Sequence, residues 1–579
     1  MVSREQVIQD LERLKTIVPA HKAAGMPLAT ETAVIDGITM EMFSKAPRNL
    51  DQVYQLGLAT PDRDFLVYQQ ERFSFAESYA LARSMAALLI HQYAIGQGDR
   101  VAICSRNNPE WCLAYMAITM IGAVVVPMNS WWTGSEMEYG LEDSGSKLLF
   151  ADQERINRIQ PHLEDLALEI IAIKPAAGCL FPEFHSLLET IPNRDFDPAA
   201  GNVAPEDNAS IMYTSGSTGL PKGVLSTHRN IISALYTWQF VTEITEILRP
   251  ELKETDPDFI PAILANVPLF HVTGSHAHFL ASFVTQRKFV MMYKWNADKA
   301  LELIEQEQIS LLHGVPTMTW EVMHSERFAH TDLSSLRVVS AGGAARPPEH
   351  LALMRQKFPA RALPGLGYGL TETNALGATI SGRFYEFNPC STGRPSPPVT
   401  SIKIADEQGN ALPAREAGEI CIKGASVMKA YWNKPDETRA VLRDGWFHTG
   451  DIGMLDELGF LTILDRAKDI VIRGGENIGC AEVEYAIAEH PAVSEVSVYG
   501  IPDDRLGEIP CAAIMLKPGA SLSTDELKWF LKDRLAHFKI PESCQFQHQQ
   551  LPRIASGKIA KKQLREQTIA ALQKTPSGY

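Results

Sequence analysis

The chain is poor in the features that mark a disulfide-stapled, zinc-bound or nucleic-acid-binding protein. Its eight cysteines, spread over 579 residues at 104, 112, 179, 390, 421, 480, 511 and 544, include no Cys-x-x-Cys pair. No histidine cluster at zinc spacing accompanies them, so the thiols read as reduced, mostly buried small hydrophobes. An excess of base is also missing. Lys+Arg number 54 against 69 Asp+Glu, a formal charge of −15, which argues against broad binding to nucleic acid or to an anionic membrane. Internal repeats and low-complexity tracts are absent. The opening MVSREQVIQDLERLK lacks the apolar core of a signal peptide. Val7, Leu11, Leu14 and Val18 instead share one helical face, which predicts a surface helix packed on the body. The closing TPSGY carries no lipidation or organelle-address motif, so the expected location is the cytoplasm.

What is present is an ordinary globular composition, 45% hydrophobic and 21% charged. One segment imitates a membrane span: Trp111 to Trp132 holds 22 residues without a charge, which meets the length criterion. Gly122 and Pro127 interrupt it. The segment is read as a buried helix from Pro109 to Ile121 followed by a short parallel strand, Ala123–Val126, because a strand covered on both faces needs a continuous apolar run. No transmembrane segment is expected, and transient membrane contact and a homodimer stay open.

Ser74 and Glu77 form a capping box ahead of a helix reaching His91. DRVAIC (99–104), PEWCLAYMAITMIG (109–122), AVVVP (123–127), GSEMEYGLEDSG (134–145) and KLLFA (147–151) then alternate strand and helix, the signature of a parallel sheet covered by helices. NPCSTGRPSPPVT (388–400) reads as a change of subdomain. After Asp465 the pattern restarts with helix 479–490, strands 495–500 and 511–517, and helix 524–538. The fold class is therefore α/β: a large N-terminal domain of helix-covered sheets over 1–464 and a small α+β C-terminal domain over 465–579. The tail holds fifteen Lys/Arg and fifteen Asp/Glu, so the whole net charge lies in the larger part. A small anionic ligand must then be held by local groups.

Tyr213-Thr-Ser-Gly-Ser-Thr-Gly-Leu-Pro-Lys-Gly223 supplies such groups. Three glycines and four hydroxyl residues follow the apolar stretch Ala209–Met212. The loop offers backbone N–H groups and hydroxyls to a polyphosphate, with Lys222 as a mobile cation. It is not a Walker A loop, because Gly223 and not Ser or Thr follows the lysine.

This stretch resembles the signature loop of the adenylate-forming superfamily, which includes acyl-CoA synthetases, aryl-CoA ligases and peptide-synthetase adenylation domains. Further motifs match in the family's order: Pro268–His271, Ser340–Gly343, Gly367–Thr373, Ser391–Pro395, Gly418–Ile420, Trp446–Asp451, Asp465–Lys468 and Pro552–Lys558. The resemblance implies an ATP-, Mg²⁺- and CoA-dependent acid–thiol ligase with a mobile C-terminal cap. It assigns Thr214, Ser215, Gly216, Ser217, Thr218, Gly219 and Lys222 to the phosphates. Gly342, Gly343, Ala344, Gly367, Tyr368 and Gly369 are assigned to the adenine, with Tyr368 stacked on the ring. Thr371 and Glu372 fall beside the α-phosphate, with Glu372 and Thr214 as Mg²⁺ ligands. Asp451 would take the ribose diol, and Arg466 the ribose or a phosphate. Lys468 would be the hinge, Gly474 and Gly475 would wall the pantetheine tunnel, His271 would stand as an aromatic gate, and Lys558 would contact both carboxylate and α-phosphate. Arg553, Lys561, Lys562 and Arg565 read as a solvated helix face, with CoA phosphates as the alternative. Leu366 departs from the pattern, since many relatives carry an amide there that reads the adenine amino group.

By position, the acid pocket falls at Trp238–Phe240, His271–Ser275, Leu312–Val315 and Gly342–Ala344, with Gly274, Gly314 and Ala344 small enough to admit a long or bulky tail. No Asp or Lys stands ready for an amino acid's ammonium. A medium- or long-chain fatty acid is the first expectation; an aryl or branched carboxylate, or transfer to a carrier protein, is the alternative. From another class, the rival is a non-catalytic adenine-nucleotide-binding regulatory protein.

Overall fold

A computed structural model of the protein describes residues 2–190, 202–214, 220–344, 346–466, 470–473, 476–503, 505–554 and 557–574. Two sheets dominate the large N-terminal domain. One runs in the order Ala430–Tyr431, Lys222–Thr227, Asn208–Thr214, Val124–Pro127, Arg100–Cys104, Leu148–Asp152, Glu169–Ile173. The strands at 100–104, 124–127, 148–152 and 169–173 are mutually parallel, as the alternation of strand and helix predicts. The other sheet has nine strands, in the order Arg394–Pro395, Ala378–Ser381, Leu363–Tyr368, Val338–Gly342, Leu311–Gly314, Ala262–Ala265, Lys288–Met291, Asp64–Tyr68, Glu71–Ser74.

The helical part of the uncharged segment is buried between these sheets. The helix Pro109–Met120 begins at Asn108, whose side chain accepts from Trp111 N, and all twelve of its residues are buried. Trp111, Leu113 and Ile118 share one core with Val101 and Ile103 of the first sheet and Phe65, Ile263 and Phe289 of the second. A helix sandwiched on both sides has no polar face to show, which is why its sequence reads like a membrane span. Its one acid, Glu110, is held by His185 at 2.7 Å and Lys174 at 3.1 Å. Among the described residues no helix is long and apolar enough to cross a membrane.

The capping box at Ser74 and Glu77 forms and starts the helix Phe75–His91. The N-terminal helix Arg4–His21 buries Val7 and Leu11 against Leu366, Ile380 and Phe460. A third sheet joins Thr400–Ala405, Gly418–Gly424, Trp446–Leu455 and Leu442–Arg443, with Leu461–Arg466 added on Trp446–Leu455.

The small C-terminal domain has its own sheet, Glu476–Ile478, Val471–Arg473, Gly507–Leu516 and Val493–Asp503, with Ser543–Gln547 beside Gly507–Leu516. Helix Cys480–Ala488 and helix Thr524–Leu531 complete a separate core around Val483, Ile487, Ile514, Leu527 and Leu531. The second of these helices is shorter than the predicted 524–538. Arg534 folds back over the Phe530 ring at 3.8 Å and pairs with Glu489 at 2.8 Å, and the chain turns there so that Phe538 and Ile540 pack on the core. None of the eight cysteines is in a disulfide; Cys390 is the exposed one.

Candidate active site

Strands Leu311–Gly314, Val338–Gly342 and Leu363–Tyr368 run parallel and in register, Gly314 opposite Ala341 and Gly342 opposite Gly367. Their carboxyl ends open into a cavity of about 1560 Å³, the place where open α/β sheets bind ligands. A Cβ at Gly367 would meet nothing within 4 Å, so this backbone presents a bare face to the cavity. Gly343 has φ +76°, and a Cβ there would stand 3.1 Å from Lys558 Cε and 3.5 Å from its Nζ. The lysine side chain thus lies directly over the Gly343 backbone. Lys558 reaches it from a tight turn in which Ile554 N donates to the Lys558 carbonyl at 2.9 Å and Arg553 to the Gly557 carbonyl at 2.8 Å.

Glu372 sits on the one-turn helix Thr371–Thr373. The turn is locked on both sides. Asn374 and Ala375 follow with φ 53° and 63°, a conformation that costs energy for residues with a side chain. Buried Asn374 offsets that cost by donating to Ser226 Oγ at 3.1 Å and to the Ser426 carbonyl at 2.8 Å. The Glu372 carbonyl accepts from Met428 N at 2.7 Å. Gly369 serves this turn: a Cβ there would lie 2.4 Å from the Ala375 backbone. Its lack of a side chain therefore admits a backbone crossing as well as a flat ligand wall. Tyr431 donates its hydroxyl to Glu372 Oε1 at 2.9 Å, and Lys222 Nζ lies 5.1 Å over the same ring. Burial, and then the Glu372 charge, push the Tyr431 phenol up, so it stays a donor.

Asp451 is presented by a hydrogen-bonded turn. Its N–H donates to Thr449 Oγ1 at 3.0 Å, and that hydroxyl donates to the Ile420 carbonyl at 2.8 Å. Glu419 accepts from Gly450 N at 3.0 Å and lies 2.7 Å from His448 Nδ1. With Cys421 Sγ 3.5 Å from the same nitrogen, these three side chains have metal-ligand chemistry, but they are engaged in bracing the turn. Tyr368 donates to Asp451 Oδ2 at 2.6 Å.

Burial, and then the Lys558 charge, lower the His271 pKa to about 3. The ring is neutral at working pH, and its Nε2 is buried without a partner among the described residues.

Of the residues singled out from sequence, Thr214, Lys222, His271, Gly342, Gly343, Gly367, Gly369, Thr371, Glu372 and Lys558 all line this one cavity. Tyr368 and Asp451 join at its edge beside Gly367, Thr449 and Gly450. Ala344 departs from expectation: it is exposed and off the cavity, because the chain bends away after Gly343. Ser215, Gly216, Ser217, Thr218, Gly219, Lys468, Gly474 and Gly475 lie outside the described residues. The strands on either side of 215–219 pair antiparallel, with Thr214 opposite Lys222. Arg473 pairs with Glu476 across the antiparallel strands Val471–Arg473 and Glu476–Ile478. Arg466 is placed by backbone register opposite Asp451.

Of the residues expected to line an acid pocket, Trp238, Gln239, His313 and Val315 line the cavity, whereas Phe240 turns into the core with Phe43 and Ile244. Gly274 leaves no room for a tail, since a Cβ there would strike the Pro268 carbonyl at 2.3 Å. Of the basic patch, Arg553, Lys561 and Arg565 pair with Glu495, Glu484 and Glu508, and Lys562 is exposed. Tyr431 and Glu419 are the functional partners that sequence reading passed over. Glu419 stood inside a quoted motif; Tyr431 stood in none.

A family model described as "AMP-binding enzyme" matches residues 56–432, and one described as "AMP-binding enzyme C-terminal domain" matches 482–558. A long-chain-fatty-acid–CoA ligase of Bacillus subtilis is 34% identical over 544 residues, covering 88% of this chain and 92% of its own. A feruloyl-CoA synthase of an Amycolatopsis species is 35% identical over 495 residues, covering 85% and 94%. The structure of o-succinylbenzoate CoA synthetase (MenE) from Bacillus subtilis with its acyl-adenylate intermediate matches at TM-score 0.73 and 31% identity, over 90% of this chain and 98% of that one. The chain belongs to the AMP-binding enzymes of the adenylate-forming superfamily, among the acid–thiol ligases.

Proposed function

We propose that the protein activates a carboxylic acid with ATP as an acyl-adenylate, releasing pyrophosphate, and then passes the acyl group to the CoA thiol, releasing AMP. The observation that carries this reading is the Lys558 side chain laid over Gly343, in the same cavity as Glu372 and Lys222. A carboxylate attacking a phosphate brings two anions together. The ammonium offsets their repulsion and stabilises charge developing at phosphorus. Asp451, held by Tyr368, offers two acceptor oxygens to the ribose diol. Neutral His271 acts by shape and hydrogen bonding beside Lys558, not by charge.

Glu372 and Thr214 would hold Mg²⁺, and both are the hard oxygen donors this ion takes. When bound, the ion neutralises charge on the phosphates. The Tyr431 hydroxyl and the locked 371–375 turn keep the Glu372 carboxylate aimed.

The two half-reactions need different surroundings. Residues 465–579 are read as a cap that rotates on 1–464 about Lys468, exchanging the Lys558 turn for the Arg473–Asn477 hairpin. The acid is read as medium- to long-chain, because the cavity continues past Gly342 along the strands to Ser310 and Thr285. The fatty-acid, feruloyl and succinylbenzoate ligases similar to this chain share the carboxylate and differ in the tail. The protein is read as cytoplasmic.

Acid-dependent exchange of pyrophosphate into ATP, followed by detection of a thioester with free CoA, tests the reading. No exchange across a broad acid panel would favour a nucleotide-binding regulator. Exchange without a CoA thioester would favour a carrier-protein acceptor.

A further inference from the structure

We propose that Arg287, with His278, forms a polar subsite at the remote end of the acid-binding cavity, with His313 linking His278 to the Gly342 end. The acid it serves carries a second oxygen acceptor, a carboxylate, at the end away from the group that reacts. This rests on the ligase reading above and narrows its substrate class from a plain alkyl acid.

Position comes first. Arg287 immediately precedes strand Lys288–Met291, and Lys288 pairs with Ala262 at the amino-terminal edge of the nine-stranded sheet. Lys558 and Gly343 stand at the opposite, carboxyl-terminal edge. The four-residue advance from Val338 to Gly342 separates these edges by about 13 Å. Arg287, His278 and His313 all line the cavity that connects them.

Next, the guanidinium lacks a counter-ion. Among the described residues Arg287 makes no ion pair, and its Nε is buried without an acceptor. Burial alone lowers its pKa, to about 10, with no carboxylate near enough to raise it. Its neighbours differ. Lys288 pairs with Glu307 at 2.7 Å, Arg337 and Arg361 share Glu254 at 2.7 and 2.9 Å, and Arg249 takes Glu251 at 2.5 Å. Glu307, Glu254 and Glu251 are thus engaged elsewhere, and Glu246, which also lines the cavity, does not raise the Arg287 pKa. A buried charge left unpaired is destabilising, and more so when an alkyl chain displaces the water around it.

The histidines extend the subsite. His278 is buried with neither ring nitrogen partnered among the described residues, and its ring lies 5.3 Å from that of His313, edge-on. His313 Nδ1 lies 2.7 Å from Ser340 Oγ. The neutral His278 imidazole offers one donor to a carboxylate, and the planar guanidinium suits two-point recognition of that group; His313 Nε2 faces Gly342, nearer the reacting end.

The test uses three ten-carbon acids: decanoate, sebacate with a second terminal carboxylate, and 9-oxodecanoate with a terminal methyl ketone. Wild type is expected to favour the oxygenated acids over decanoate in kcat/KM by at least about tenfold, with sebacate first. Arg287→Met should collapse that ratio by raising KM for the oxygenated acids, and Arg287→Lys should restore part of it. A higher rank for 9-oxodecanoate than for sebacate would keep the acceptor subsite but overturn the second carboxylate. A preference for decanoate, or a ratio unchanged in Arg287→Met, would overturn the proposal. Melting of Arg287→Met separates recognition from support: removing an unpaired buried charge should hold or raise Tm, and a fall of many degrees would mark a structural prop and count against the subsite. Calorimetric binding of each acid reads the subsite without turnover. Exchange with decanoate in the wild type reads the ligase reaction alone, so the two readings fail separately.

Discussion

Tyr368 donates its phenolic hydroxyl to Asp451 Oδ2 at 2.6 Å across 83 residues of sequence. The contact ties strand Leu363–Tyr368 to the turn before Asp451, the proposed wall of the nucleotide site to its proposed ribose acceptor. Hydrogen bonds to charged groups contribute about 1.5–3 kcal/mol, so Asp451→Asn should raise the KM for ATP about 10- to 100-fold. Tyr368→Phe removes only the orienting donor and should cost about fivefold. The KM for the acid should stay put in both, as checked by initial rates of exchange. A shift confined to the acid would contradict the assignment.

Two glycines should fail differently. Gly343→Ala places a methyl 3.1 Å from Lys558 Cε at a φ of +76°, a conformation costing about 1–2 kcal/mol for a residue with a side chain. It should slow adenylation about tenfold or more while Tm falls modestly. Gly369→Ala drives a methyl to 2.4 Å from the Ala375 backbone, so its main effect should be a large loss of Tm. Calorimetry and exchange rates on the purified variants distinguish the two.

Tyr431→Phe removes the hydroxyl that holds Glu372 Oε1. The Mg²⁺ concentration for half-maximal exchange should rise several-fold with little change in Tm. Glu372→Gln should raise it further and lower the maximal rate. An unchanged Mg²⁺ requirement in both would remove Glu372 from the metal site.

Buried histidines set an acid limit on stability. Burial lowers His271 and His276 from 6.5 to about 3, and His228, His313 and His350 to about 4. The unfolded chain takes up these protons near pH 6.5 and the folded chain only near 3 to 4. The stability carried by the neutral rings is therefore complete above 6.5 and is lost as pH falls toward 4. Each ring costs up to about 1.4 kcal/mol per pH unit in that window. Tm measured from pH 8 to 5 should hold down to about 6.5 and then fall steeply. A flat Tm across the window would contradict burial of the neutral rings.

The site was legible where chemistry is local in sequence. The Gly367–Thr373 stretch and the turn before Asp451 each carry their reason within a few residues, whereas the hydroxyl- and glycine-rich run at 215–219 lies outside the described residues. The helix at 109–120 was equally plain, since burial on every face leaves a continuous apolar record. Partnerships made by topology were not legible. Tyr431 meets Glu372 because Ala430–Tyr431 adds to the edge of one sheet while Glu372 leaves the end of another. Gly274 looked like room for a tail, yet it closes on Pro268, because local smallness does not say which neighbour fills the space. Arg287 had no motif around it; only the absence of a nearby acid in three dimensions singles it out.

Lys558 is proposed to serve the first half-reaction. Its most direct test compares the two partial reactions in Lys558→Ala: acid-dependent pyrophosphate exchange, and thioester formation from supplied acyl-adenylate and CoA. Exchange should fall by several orders of magnitude while thioester formation from the supplied adenylate stays largely intact. Equal loss of both, or exchange that survives, would contradict that role.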